Sequence, residues 1–293
     1  MNLRQYRLSG GLLLALLLTL IPILLLHTSS AARGGTTSNG SPSGIYYTDG
    51  YQRPGIIYRF DPNTSQETVF YQRPGPGLTN FTLAQFPNDL YFGYFNTRYI
   101  YKVTKTDAGW GDEDVVYTHT TYIKDLAIGP DGALYFSEAY GGGRDGIIYR
   151  LEGSTATPYF TVRLAEMGSG WRGDFTFDEN GILYLTPGNF SPGRIFRVEN
   201  GQVHQIFESS HHMIAGIFVR RGKAYYTDWG QHIYVLDLAT GQEQVLHTKH
   251  NARRLSDVYV VGDISGVPSP TPTPVSRFWL PVMVKRTHWG GQP

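Results

Sequence analysis

The chain has 293 residues, with 25 Lys+Arg against 24 Asp+Glu, and its formal charge of +1 gives no global field to hold nucleic acid or an anionic membrane. At 41% hydrophobic and 17% charged, with 35 Gly, 21 Tyr and 15 Phe, it is too aromatic for a disordered chain and too glycine-rich for a helical bundle, which leaves an all-β domain full of tight turns. The absence of cysteine excludes disulfides, thiolate zinc sites, iron-sulfur clusters and cysteine nucleophiles together.

In chain order, the first segment carries Arg4 and Arg7, an apolar stretch from Leu12 to Leu26, and the small residues Ser29, Ser30, Ala31 and Ala32. This is the layout of a signal peptide over residues 1–32, cleaved after Ala31 or Ala32. The alternative is an uncleaved N-terminal membrane anchor, since the apolar run approaches the ~17 to 20 residues of a spanning helix. Either way the remainder is expected to be exported, extracellular or at the cell surface, and a chain without cysteine fits a bacterial origin. Residues 33–43 are a Gly/Ser/Thr linker.

From residue 44 to 265 one strand-like unit recurs: Ile45 to Asp49, Leu90 to Tyr94, Leu134 to Glu138, Leu183 to Pro187 and Ala224 to Asp228, each with a tyrosine in second or third place. Each is followed by a second unit, Ile57-Tyr58-Arg59, Ile100-Tyr101-Lys102, Ile148-Tyr149-Arg150, Ile195-Phe196-Arg197 and Ile233-Tyr234-Val235. A third opens at Asn80, Asp125, Asp174, Gly216 and Asp257, and a weaker fourth lies near Val69, Val115, Tyr159, Val203 and Val245. Four short strands per ~40 to 45 residues predict the blade of a β-propeller. Turns such as Gly129-Pro130-Asp131-Gly132 and Asp178-Glu179-Asn180-Gly181 interrupt too often for helical repeats.

With strands named A to D outward from the axis, the first tyrosine unit lacks an A strand, and Leu255 to Val261 is an A strand with nothing after it. The two fragments make one blade, so the expectation is five four-stranded blades, closed by a C-terminal inner strand beside the N-terminal one. Six blades is the alternative, with a degenerate blade in Thr104 to Thr121 or in the tail. Beyond the ring lie a Pro/Thr-rich spacer, residues 266–276, and a short apolar tail, residues 277–293. The tail is either a sorting or attachment segment or a frayed end.

The stretches GPDGALYFSE (Gly129 to Glu138), RGKAYYTDWG (Arg221 to Gly230) and GIIYRLE (Gly146 to Glu152) resemble blades of the SMP-30/gluconolactonase, NHL and YWTD group and of virginiamycin B lyase-like propellers. The likeness covers about residues 44 to 262 at the level of the repeat, so it speaks to fold more than to activity. Those families usually have six or seven blades.

In a propeller the A strands start and the B strands end on one face, around the mouth of the central channel. The repeat places Asp49, Asn80, Tyr94, Lys124, Arg172, Asp228 and Arg254 there as a candidate binding face. Asp125, Asp174, Asp257 and Glu138 are the candidate ligands of Ca2+ or another divalent cation, because oxygen donors converging from several strands suit a hard ion. The competing reading is that an Asp or Asn opening each inner strand caps the preceding loop. His211, His212 and Glu138 are the candidate catalytic groups, the two histidines because they break the repeat. Trp110, Trp171 and Trp229 are candidates for a platform under sugar rings, and the acidic loop Trp110 to Asp114 reads as a solvated turn.

No GxSxG elbow, P-loop, HExxH or dinucleotide fingerprint is present. The preferred expectation is therefore an exported binding module that meets a small molecule, glycan or protein at its channel mouth. The resemblance implies the alternative, a metal-dependent hydrolase or lyase. A glycan-binding or glycan-cleaving propeller is the third reading.

Overall fold

The computed structural model describes residues 43–264, apart from 74, 85–87, 95, 139–144, 168–172, 189–190, 210–212 and 263. The predicted signal segment, residues 33–42 of the first linker, the Pro/Thr-rich linker, the apolar tail, Trp171, Arg172, His211 and His212 lie outside the described residues.

The chain forms five antiparallel sheets of successive strands. Blade 1 holds β1 (Gly44–Asp49), β2 (Gly55–Asp61) and β3 (Gln66–Arg73), and blade 2 holds β4 (Leu78–Ala84), β5 (Asp89–Tyr94), β6 (Tyr99–Thr106), β7 (Gly109–Trp110) and β8 (Asp114–Thr118). Blade 3 is β9 (Ile123–Ile128), β10 (Leu134–Glu138), β11 (Gly146–Glu152) and β12 (Thr155–Val162). After a single turn of helix, α1 (Leu164–Met167), blade 4 follows as β13 (Asp174–Phe177), β14 (Leu183–Thr186), β15 (Arg194–Glu199) and β16 (Gln202–Glu208). Blade 5 is β17 (Ile217–Arg220), β18 (Lys223–Thr227), β19 (His232–Asp237) and β20 (Glu243–Thr248). The last strand, β21 (Leu255–Val261), returns to blade 1 and pairs with β1 from Gly44↔Val261 to Asp49↔Leu255. This is the expected five-bladed β-propeller, closed where expected.

The stretch weighed as a hidden sixth blade is an ornament on blade 2. There β6 runs long enough to pair β8 through Tyr99↔Thr118 and also the two-residue β7 through Lys105↔Trp110. Gly109, at φ 115°, supplies the tight turn that lets β7 fold back on β6.

Side chains behind the tyrosine repeat explain how the blades pack. One aromatic residue on the B strand stacks on one on the C strand in four blades: Tyr47 on Tyr58, Phe92 on Tyr101, Phe136 on Tyr149 and Tyr226 on Tyr234, with centroids 5.1 to 5.5 Å apart. The preceding blade's outer strand covers each stack. Tyr71 and Arg73 reach blade 2, Tyr117 and His119 blade 3, and His247 and Lys249 blade 1. Between blades 3 and 4 the corresponding set is wholly apolar, namely Phe160, Val162, Leu185, Phe196 and Val203. Burying one such large side chain stabilises the fold by roughly 1.5 to 3 kcal/mol.

A glutamate at the start of the outer strand, or just before it, recurs in three blades and stitches blade interfaces. Glu67 takes Lys249 and Tyr47, and lies 3.3 Å from His247. Glu113 accepts from Tyr71 at 2.6 Å and from Arg73 at 2.7 Å, while Glu243 accepts from Ser209 at 3.0 Å. The acidic loop at 110–114, expected to be a solvated turn, thus contributes an interblade anchor. Trp110 likewise is no ligand platform: its indole N–H donates to the Phe70 carbonyl at 3.0 Å, and its ring packs edge-on against Phe70 and Tyr71.

Candidate functional site

The five inner strands put one residue each, at equivalent positions, around the axis: Asp257, Asn80, Asp125, Asp174 and Gly216, opposite Thr48, Gly93, Ser137, Thr186 and Thr227 on the B strands. Blade-to-blade hydrogen bonds join them. Asp257 accepts from the Phe81 N–H of blade 2 at 2.8 Å and from its own neighbour Val258 at 2.7 Å. Asn80 donates to the Lys124 carbonyl of blade 3 at 2.8 Å. Asp125 accepts from Phe175 of blade 4 at 2.8 Å and from Leu126 at 2.9 Å. Asp174 breaks the series and receives the Lys124 ammonium at 2.6 Å. Gly216 closes the ring by close approach, because a Cβ there would lie 2.5 Å from the Asp257 Cα.

Of the four candidate metal ligands Asp125, Asp174 and Asp257 come together and are consumed in doing so, while Glu138 sits apart against His119 and Tyr149. Both oxygens of Asp125 and of Asp257 hold backbone N–H groups, and one oxygen of Asp174 holds Lys124. Among the described residues, Asp174 Oδ2 alone in this trio has no hydrogen-bond partner. A calcium ion requires ~6 to 8 oxygen donors. Among the described residues no group of three or more His, Asp or Glu side chains is placed to hold a metal. The three aspartates, as they stand among the described residues, therefore do not fit a divalent cation, and the Lys124 ammonium supplies the positive charge among them.

Their electrostatics follow from burial. Desolvation, helped by the charge of Asp174, raises the Asp125 carboxyl to about 8. Desolvation raises Asp174 to about 6 against the pull of Lys124, and it raises Asp257 well above the usual range, with Asp125 adding to it. Burial alone would lower the Lys124 ammonium, yet the surrounding carboxylates of Asp174, Asp125 and Asp257 hold it above the ordinary lysine value. Asp125 and Asp257 line a cavity of about 270 Å³ along the axis, whose other end is bounded by Asp178, Glu179 and Arg220.

The acids at the B-strand ends are also engaged. Asp49, 2% exposed, accepts from the backbone N–H groups of Tyr51, Arg253 and Arg254 at 3.1, 2.7 and 3.3 Å. Asp228 accepts from the Gly230 and His232 N–H groups and pairs with His232 Nδ1 at 2.7 Å. Glu138, 2% exposed, lies 2.7 Å from His119 Nε2 and accepts from Tyr149 at 3.0 Å. The sequence reading missed His119. The signal was its place two residues after the outer-strand aromatic Tyr117, where Arg73 and Lys249 stand in their own blades. It is a blade-joining cation position occupied by an imidazole, with Glu138 as its acid because Ala156 stands where blades 1, 2 and 5 have a glutamate.

Among the described residues, aromatic rings and arginines of the mouth face come together at two places open to solvent. Arg254 is exposed and its guanidinium lies over the rings of Tyr51, at 5.0 Å, and Trp229, at 5.7 Å. Between blades 2 and 3, Tyr94, Tyr99 and Tyr122 line a groove of about 560 Å³ with Arg98, Thr120 and Thr121. Tyr94 itself is anchored by its hydroxyl to that of Tyr101 at 2.7 Å. Of the predicted binding face, then, Arg254 and Tyr94 reach the surface, Asp228 is part-buried, and Asp49, Asn80 and most of Lys124 are buried.

No family model matches the chain, and no curated protein matches it. Solved structures do. One chain of a nidogen–laminin complex aligns with a TM-score of 0.50 and 13% identity over 75% of this chain and 98% of its own. A protein assigned as a gluconolactonase aligns at 0.48 and 14% over 74% and 82%, and a virginiamycin B lyase from Staphylococcus aureus at 0.39 and 19% over 70% and 67%. At these identities the likeness shows the fold alone.

Proposed function

We propose that this propeller is an exported binding module whose ligand is taken by the channel-mouth face. The observation that carries the reading is the division of labour on that face: its inner carboxylates are committed to backbone N–H groups and to Lys124, while Arg254 with Tyr51 and Trp229, and the groove of Tyr94, Tyr99 and Tyr122, stay accessible. The groove has the size of small-molecule sites, which run ~300 to 1,000 Å³. Exposed aromatic rings beside hydroxyl and amide groups suit a ligand with both an apolar face and hydrogen-bonding edges. Export rests on the N-terminal charge and apolar pattern.

The metal-dependent hydrolase reading differs in what it requires of the inner acids, and one experiment separates the two. The full-length chain is titrated with Ca2+, Mg2+ and Mn2+ while its unfolding temperature and its turnover of a lactone panel are followed. The binding reading predicts neither a rise in unfolding temperature nor turnover. A metal at ~100 times its dissociation constant would add ~2.7 kcal/mol of stability, and that rise, with lactone opening, would sink the reading.

A further inference from the structure

We infer that the mouth face recognises an acidic polysaccharide, with Arg254 as the principal contact to a carboxylate on a sugar ring. This rests on the reading of the mouth as the ligand face and adds the chemistry of the ligand.

The first observation is a polarity that the net charge conceals. The loops of the mouth face expose Arg53, Arg98, Arg163, Arg253 and Arg254 against only Asp145 and Glu166 among the described residues. The loops of the opposite face expose Asp107, Asp112, Asp131 and Glu179 against Arg221. The excess of cations would vanish if the other acids faced solvent, but Asp49, Glu138, Asp125, Asp174 and Asp257 are all buried. A positive potential on one face attracts anions and falls off with salt.

The second observation is that Arg254 is held in place without its charge being matched. Asp49 fixes the loop by accepting from the Arg253 and Arg254 N–H groups, the Arg254 carbonyl accepts from Gly50 at 3.1 Å, and Leu255 donates to the Gly230 carbonyl at 2.9 Å. The rings of Tyr51 and Trp229 support the guanidinium, and no carboxylate among the described residues pairs with it. A planar fork of N–H donors positioned this way matches a carboxylate in two-point geometry at little ordering cost. Tyr51, 40% exposed, offers a ring beside that fork, and across the mouth Arg98 stands beside Tyr99 and Tyr122, 37% and 47% exposed. Alternating cations and exposed rings fit a polymer that alternates carboxylates with sugar rings. A polyanion lacking rings would use only half of this surface.

The test is binding of the full-length chain to polygalacturonate, with polyglutamate, neutral dextran and poly(U) as comparison polymers, at ionic strengths of about 0.02 and 0.15 M. The inference predicts binding to polygalacturonate that weakens with salt and exceeds binding to the other three. Arg254→Gln should weaken it about tenfold and Arg98→Gln by a smaller factor, each with an unchanged unfolding temperature. Absence of polygalacturonate binding, unchanged affinity in Arg254→Gln, or tighter binding of poly(U) or polyglutamate would each overturn it. Tighter binding of dextran that is lost in Tyr99→Ala would overturn the acidic ligand and leave the mouth-face reading standing.

Discussion

Asp257 shows how an acid that looks like a ligand becomes part of the frame. Its two oxygens satisfy the N–H groups of Phe81 and Val258, and the first of these lies 176 residues away in another blade. Replacing it with Ala orphans two buried donors at ~1 to 3 kcal/mol each, so Asp257→Ala should lose about 3 kcal/mol in urea unfolding. A loss under 1 kcal/mol would mean the staple is not formed. That a polar residue opens four of the five inner strands was visible in the sequence. Its partner was not, because acceptor and donor meet only after the ring has closed.

The same acids set a pH dependence. Asp125 titrates near 8 when folded and, as an ordinary carboxyl, near ~4 when unfolded, so between these values the folded state binds the extra proton. Stability from this group is therefore complete below the unfolded value and is lost as pH rises through about 8. His247, lowered by burial, opposes this only below ~6.5, where the unfolded imidazole takes up a proton. From pH ~6.5 to ~8 the unfolding free energy should fall by about 1 to 2 kcal/mol. Asp174→Asn removes a charge that raises Asp125 and should flatten this slope, which thermal scans across the window will read.

At the scale of the element, each blade interface is a variation on one set of positions. The outer-strand glutamate is present as Glu67, Glu113 and Glu243 and is replaced by Ala156 and Val203 in blades 3 and 4. Where it is lost, His119 with Glu138 or an apolar cluster takes over. Glu67→Gln should cost roughly 1 to 2 kcal/mol, and a double-mutant cycle with Lys249→Met should show coupling, since the ammonium sits both on Glu67 and 3.7 Å from the centroid of the Tyr58 ring. Additive effects would contradict the shared anchor. The strands themselves were legible from the tyrosine and isoleucine repeat, because both faces of a blade are buried and leave nearly continuous apolar runs. The ornament at Lys105 to Trp110 was not, since a two-residue strand carries no periodicity.

The whole molecule is a closed ring whose two faces differ in charge, and the composition alone reported only their sum. Which acids are buried decides the sign of each face, and burial is a property of the assembled ring. If the N-terminal segment is a signal peptide rather than an anchor, the mature protein should begin just after Ala31 or Ala32, and N-terminal sequencing of protein from the producing cell's exterior will show it; an intact Met1 would contradict cleavage.

Every statement about the mouth depends on β21 lying beside β1, because that pairing completes blade 1 and carries Asp257 and Arg254 to the rim. Hydrogen exchange of backbone amides tests it directly. The account predicts that Leu255–Val261 and Gly44–Asp49 exchange together, in the slowest class, at the rate of global unfolding. Exchange of Leu255–Val261 at the rate of an exposed tail, with Gly44–Asp49 still protected, would contradict it.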